Sequence, residues 1–415
     1  MRLGKHIAVV GAGVIGLAIA LKLRREGYRV SIFEPDEPGS HTSAGNAALI
    51  MTGQISPVSQ PGLWRKVPKM LSDPQGPLVV RWQHLPRLTP WFARFLRNSS
   101  RKRHEAIADT LAPLVTRSLD SWVNLVGQHE AGRLFRQDGL LYVFKSRKNF
   151  RAAQKEAEFR RRHGVQSEII PPEELRQMEP SLGPDLAGGI LYPDTGHCTE
   201  PKTLSAALAS AFRTSGGELH RQAVRQITPA SGSMVRLVTD DGERTVDEVV
   251  IAAGIWSPPL IRPFGVKPLL APERGYHLML RDPQISLRRP LVAGDDHFAI
   301  TPLSGGIRLA GTAEFGGLTT PPDWQRADIL LDLAKTLMPE INGEATATRW
   351  MGTRPSTPDS LPIVGRVPKN PAIICAFGHG YLGLTLGAVT AELVAELIAR
   401  RGPGSGIAAL RPDRF

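Results

Sequence analysis

Apolar positions along the chain change period several times. Residues 7–10 form a continuous β-branched run, and from 14 to about 25 the apolar positions recur at helical spacing. Gly27 stops that helix, and 28–33 reads as a second strand closing on Glu34. Strand, helix and strand with short links imply parallel pairing through a right-handed crossover. Proline- and glycine-rich turns run to about Pro77. The spacing then predicts helices over 90–103 and 107–126, a strand over 140–144 and a charged amphipathic helix over 150–162. A further helix is expected over 203–215, ended by Gly216-Gly217. Strands follow at 218–220, 223–228, 234–239 and 247–252, then an antiparallel group over 268–312. Helices over 327–337 and 384–400 complete the pattern, with a loose tail after Gly402. Elements from both ends must share one sheet, so the domains are expected to be discontinuous.

At 415 residues the chain is too long for one compact core and suits two interleaved domains. Two cysteines, Cys198 and Cys375, stand in no metal-type spacing, so neither a disulfide framework nor a metal site is expected. A reducing, cytoplasmic compartment follows from that usage. The six residues before the first strand are too few for a targeting segment, and no apolar run is read as long enough to span a bilayer. The net charge is +12. No nucleic-acid motif accompanies it, so nucleic acid is not expected as a partner. Between Arg81 and Arg103 there are seven Lys or Arg and no acid, interleaved with Trp82, Trp91, Phe92 and Phe95. That stretch reads as a solvated cap helix with its aromatics in the core. Its second reading is a peripheral contact with anionic lipid at the inner face of the cell membrane.

Chemistry begins at Gly11-Ala12-Gly13-Val14-Ile15-Gly16, a G-x-G-x-x-G run that follows a strand and opens a helix. Gly11 permits the tight turn, Gly13 the approach of a pyrophosphate, and Gly16 close helix–strand packing. The helix N-terminus offers N–H groups and partial positive charge to phosphates. Glu34 follows at the spacing of a ribose-binding acid. Small and hydroxyl residues come next, in Thr42-Ser43-Ala44-Gly45-Asn46-Ala47, where an extended dinucleotide can lie close to the chain. A buried run ending in Ala253-Gly254 and the loop Gly378-His379-Gly380-Tyr381-Leu382-Gly383-Leu384 offer two further approaches, and Val224 is counted with the same contacts. Three close-approach segments favour FAD over NAD, although an NAD-dependent enzyme stays open at this point. Amides of the 378–384 loop suit the electron-rich end of a reduced flavin.

From about residue 5 to 400 the chain resembles the D-amino-acid dehydrogenase group of FAD-dependent amine oxidoreductases, related to D-amino-acid oxidase, glycine oxidase and sarcosine oxidase. The resemblance rests on the Gly11 fingerprint with Glu34, the 42–47 stretch, Ala253-Gly254, Gly378-His379-Gly380 and, most diagnostically, Arg354-Pro355-Ser356-Thr357-Pro358-Asp359. It implies an α/β fold: a Rossmann-type, glutathione-reductase-like FAD domain (1–80, 146–260, 341–415) with an interleaved α+β substrate domain on a mostly antiparallel sheet (81–145, 261–340). It implies that Arg354 holds a substrate carboxylate, as a guanidinium fork would. Tyr276 of the Gly275-Tyr276 element would place its hydroxyl at that carboxylate or on a pocket water, and His379 would contact the flavin ring or gate the site. Sarcosine-oxidase-type relatives carry a flavin-bonding cysteine near the position of Gly352, so FAD is expected to be non-covalent. Another departure is Ala44, where many dehydrogenase relatives have an aromatic residue.

The implied activity is oxidative deamination of a small D-amino acid, of D-proline or D-hydroxyproline type as a subset, with electrons passing to a quinone or other carrier. Two alternatives stand beside it: an oxygen-using glycine or sarcosine oxidase, and a flavoprotein subunit of an opine-type, multi-subunit dehydrogenase.

Overall fold

The computed structural model describes residues 4–62, 78–399 and 407–415. Parts of the expected turns before Pro77, and the start of the tail, lie outside them. Eight elements build the site: β1 (His6–Val10), α1 (Val14–Arg25), β2 (Arg29–Phe33), α2 (Leu85–Asn98), β3 (Ala271–Leu280), β4 (Gly306–Phe315), β5 (Thr348–Ser356) and α3 (Gly383–Ile398).

Two sheets organise the chain. The first has the order Glu218–His220, β2, β1, Glu248–Ile251, Asn370–Phe377, Ile363–Val367. Its pairs are parallel except the last, which is antiparallel. The β1 run is buried on both faces, as a parallel strand under helices must be. On one face α1 packs against α3 in a core that includes Leu17, Leu21, Val389 and Val394. On the other lies a three-stranded meander, Val224–Pro229, Val235–Thr239 and Gly242–Val246, sharing a core with Val10, Phe33 and Ile251. The second sheet runs β5, β3, β4, Phe298–Leu303, Leu291–Ala293, Leu140–Phe144, Gly188–Tyr192, Glu168–Ile170, with Leu78–Val80 added beside β4. The helix Gln325–Lys335 packs against β3 and β4.

Several expectations change. The two long helices expected over 90–126 are three, Leu85–Asn98, Arg101–Val115 and Ser118–Val126: the first break falls at the extended Ser100, and a second falls at Thr116-Arg117. The segment 146–260 divides between the sheets: Glu168–Ile170 and Gly188–Tyr192 pair within the second sheet. β5 also joins that sheet, along the whole length of β3, so 341–356 goes with it too. The end of the chain is tied down rather than loose. Ile407 and Leu410 are buried, and Arg414 grips Asp359 through two hydrogen bonds of 2.8 and 3.1 Å. The stretch Gly380–Ile398 is long and apolar enough to cross a membrane, contrary to the sequence reading. Since 72% of it is buried within the protein, it serves here as the central helix of the first core.

Trp122 anchors α3. It is fully buried, donates its indole N–H to the Leu384 carbonyl at 2.8 Å, and occupies the space a side chain on Gly387 would need. Trp122→Ala is expected to destabilise the protein by about 3–5 kcal/mol, measurable by urea unfolding.

Candidate active site

A cavity of about 1470 Å³ runs between the sheets, from Gly11 and Glu34 at one end to Arg354 at the other. That exceeds the usual small-ligand site of roughly 300–1,000 Å³ and leaves room for a dinucleotide with a second molecule beside it.

At the first end the backbone leaves no space for side chains. Gly11 has φ 103°, and a Cβ there would lie 2.7 Å from the Ala252 carbonyl oxygen. A Cβ on Gly16 would overlap the Gly11 carbonyl oxygen. Gly16 therefore sits behind the cavity wall, where helix meets strand, as its assigned packing role requires. Ala12 does not line the cavity, and its amide is engaged by Glu34, donating to Oε2 at 2.8 Å. Asp36 N–H donates to the other Glu34 oxygen at 3.2 Å. These bonds fix a buried carboxylate at the end of β2, and each oxygen keeps a lone pair for a ribose hydroxyl. α1 begins at Gly13 with no capping side chain of its own; Ser43 Oγ accepts from the Val14 amide at 2.9 Å.

The 42–48 loop is held from the second sheet. Thr42 donates to the Thr353 carbonyl at 2.8 Å, so its hydroxyl binds the loop to β5 rather than a phosphate. Thr301 donates to the Ala47 carbonyl at 2.8 Å, and Arg308 to the Asn46 carbonyl at 2.8 Å. His277 Nδ1 lies 2.9 Å from the Gly45 carbonyl, and its ring stacks on Trp350 at 5.0 Å. Gly45 is needed because the Trp350 ring lies where its Cβ would be. The Asn46 side chain is used within the loop, donating to Ser43 O and accepting from Ala48 N. Thr301 and Arg308 escaped the sequence reading. Their roles depend on contacts between remote segments, for which one chain carries no local signal.

Val224, Ala253 and Gly254 line the middle of the cavity, with Gly378, His379, Gly380, Tyr381, Gly383 and Leu384. Leu382 does not; it is buried in the core around α1 and α3. His379 is buried and its Nε2 lies 2.9 Å from Thr390 Oγ1, which pins the ring to α3. That replaces the expected gating role with a fixed wall. Burial pushes its pKa down to about 3. Burial, and then Arg308, push His277 down to about 3 as well. Both imidazoles are therefore neutral in the fold and take up a proton only on unfolding. The stability this gives is present above the ordinary value of 6.5 and is lost as pH falls from there toward 3. At pH 5 each costs about 2 kcal/mol relative to pH 7. Urea unfolding at the two pH values is expected to show this fall, reduced by about that amount in His379→Gln.

The far end is built by β3 and β5. Their register sets Glu273 opposite Arg354, Gly275 opposite Gly352, and His277 opposite Trp350. Arg274 is absent from the cavity lining, and the β3–β4 register shifts between Arg274 and Tyr276. Tyr276 is the clearest correction. Its hydroxyl donates to Glu314 and accepts from the Asp323 amide, in a cluster with the buried Arg274 and the partly exposed Arg81. Burial and the Glu314 carboxylate raise its pKa. The ring lines the cavity, but the hydroxyl is committed to this cluster rather than offered to a substrate carboxylate. The guanidinium of Arg354 lies against Gly275, where any Cβ would collide with it, and faces the cavity. Trp91, Phe92, Phe95 and Phe315 give this end an apolar wall, so the aromatic side chains of α2 point inward.

A FAD-dependent oxidoreductase family model, DAO, matches residues 6–397. The chain belongs to this family. The DAO assignment fits the cavity, which has the head of α1 and the Glu34 carboxylate at one end and backbone from three separate segments along its wall. Among relatives, the chain is 36% identical to a D-amino-acid oxidase from Bradyrhizobium diazoefficiens, over 99% of each chain. It is 33% identical to a D-amino acid dehydrogenase from Paramagnetospirillum magneticum, over 99% of this chain and 98% of that one. A glycine oxidase structure from Geobacillus kaustophilus superposes with a TM-score of 0.79 at 25% identity, over 99% of both chains. As a DAO-family member, the chain is an FAD-dependent oxidoreductase with the α/β fold of that group.

Proposed function

We propose that this enzyme oxidises the C–N bond of a D-amino acid, with Arg354 holding the substrate carboxylate. The observation that carries the reading is a cavity-facing guanidinium at one end of a groove whose other end is a dinucleotide cradle. The names of the most similar relatives agree with it. Glu34, the amides at the head of α1, Ser43, Val224, Gly254, Gly378 and Gly380 would hold FAD. When bound, FAD supplies a two-electron acceptor for the substrate's α-carbon hydride. The protein's part is orientation: Arg354 fixes the carboxylate, Gly275 keeps room for it, and the aromatic wall excludes water. The resulting imine hydrolyses to a 2-oxo acid and ammonia. Neither Cys198 nor Cys375 lines the cavity, which supports non-covalent FAD.

The test is anaerobic mixing with a panel of D- and L-amino acids, including D-alanine, D-proline, D-hydroxyproline and glycine, while the yellow absorption band is followed. Bleaching by D-amino acids supports the proposal; failure of every D-amino acid to bleach it sinks it. The likeness to a glycine oxidase favours one second reading, an oxygen-using amine oxidase. Bleaching by glycine with fast reoxidation by oxygen would select it. Turnover by the purified single chain sets both apart from a subunit that works only in an assembly.

For the acceptor we propose a quinone or similar carrier met at the basic face of α2, with the protein at the inner face of the cell membrane. Trp82, which is 69% exposed, and the exposed Arg87 and Arg97 support this. Sedimentation with anionic liposomes, weakened by Arg87→Glu with Arg97→Glu, is the expected result; unchanged sedimentation would remove the idea.

A further inference from the structure

Glu273 accepts from Arg354 Nη1 at 2.8 Å through one carboxylate oxygen, and from Ser356 Oγ at 2.6 Å through the other. Both charged side chains line the cavity and stay partly open to it, at 26% exposure for Arg354 and 19% for Glu273. Arg354 Nη1 also donates to the Thr312 carbonyl at 3.3 Å. Among the described residues, Arg354 Nε and Nη2 have no hydrogen-bond partner. One edge of the fork is engaged and the other is available. The remaining Asp, Glu, Lys and Arg side chains that line the cavity, among the described residues, are Glu34, Asp36 and Arg225, and they belong to the cofactor end.

A bare carboxylate on the open edge of Arg354 would bring a second negative charge beside Glu273. An α-amino acid carries its own compensating ammonium one carbon from its carboxylate. We propose that Glu273 receives the substrate's α-ammonium group, so that Arg354 and Glu273 together read both poles of an α-amino acid. This rests on the reading of the preceding subsection and adds a specificity residue to it. The pair admits α-amino acids and rejects 2-hydroxy acids and plain carboxylates, the second class by repulsion as well as by a missing contact. Ser356 keeps the Glu273 carboxylate in place while its partner changes from Arg354 to substrate.

Ligands that differ only in the amino group test this in the FAD-loaded enzyme. For each D-amino acid that turns over, KM is compared with the dissociation constant of its des-amino counterpart: propionate for D-alanine, 3-phenylpropanoate for D-phenylalanine. The latter is read from the perturbed visible flavin spectrum. The wild-type enzyme is expected to prefer the amino acid. In Glu273→Gln, KM is expected to rise about 10- to 100-fold, while the des-amino acid binds as well as before or more tightly. Glu273→Asp should restore part of the preference. Equal weakening of both ligands, or an unchanged preference, would overturn the proposal. If the variants do not fold, a wild-type enzyme that binds propionate as tightly as D-alanine overturns it alone. Should no D-amino acid reduce the wild-type flavin, both readings fail. Should D-amino acids reduce it and Glu273→Gln keep its preference, this one alone fails.

Discussion

Arg354→Ala is expected to lower kcat/KM for a D-amino acid by about 10³-fold and to leave the FAD content unchanged. The guanidinium is the cavity's positive charge at the substrate end, and its loss removes the partner of a carboxylate sheltered from water. The effect is larger than one lost hydrogen bond because Glu273 is left uncompensated at the place where a negatively charged group must bind. Arg354→Lys is expected to recover at most about 10-fold of that loss. An ammonium cannot serve the Glu273 oxygen, the Thr312 carbonyl and a substrate carboxylate from one plane. Steady-state kinetics with flavin absorbance per chain gives both numbers. Loss of flavin in step with activity would mean that Arg354 supports the fold instead.

Gly16→Ala is the second. One methyl group is expected to weaken FAD binding by about 100-fold or more, giving protein that purifies nearly colourless. The new Cβ would overlap the Gly11 carbonyl oxygen, and backbone cannot rotate aside as a side chain can. Either α1 tilts away from β1 or the Gly11 turn opens, and each moves the amides that face the cofactor. Gly13→Ala supplies the contrast. Its Cβ would meet the Ser43 hydroxyl at 3.2 Å, a group able to change rotamer. That variant should fold like the wild type, which thermal melting checks, so its weaker FAD binding reports a local change at the cofactor end, from the added methyl and the displaced Ser43 hydroxyl. Equal colour in Gly16→Ala and wild type would refute the packing argument.

The first half of the site was readable in the sequence because its logic is local. Gly11, Gly13, Gly16 and Glu34 carry their meaning in spacing, and the strand and helix that hold them repeat clean periods. β5 was not readable as a strand. Its residues, Thr348–Ser356, are mostly half-buried on both faces, so the alternation that marks a strand is missing. The strand Gly188–Tyr192 was missed for the opposite reason: it is short and buried throughout, without period. The Tyr276 assignment failed on its hydroxyl. Family resemblance placed its hydroxyl beside the substrate, but although Tyr276 lines the cavity with Glu273 and Gly275, its hydroxyl is turned to Glu314 and the Asp323 amide. Only the pairing of β3 with β5 tells which residues of the Pro272-Glu273-Arg274-Gly275-Tyr276 stretch meet Arg354. That pairing joins segments some 80 residues apart.

Where the electrons go bears on how the protein ages. A flavoenzyme that reduces oxygen releases hydrogen peroxide against its own walls. Here both thiols are buried away from the cavity, and burial raises their pKa, so neither presents the reactive thiolate. The oxidisable sulfur at the cavity wall, among the described residues, is the thioether of Met51. Chemical wear from long turnover in air should therefore gather there as methionine sulfoxide, a lesion that repair enzymes reverse, while Cys198 and Cys375 stay reduced.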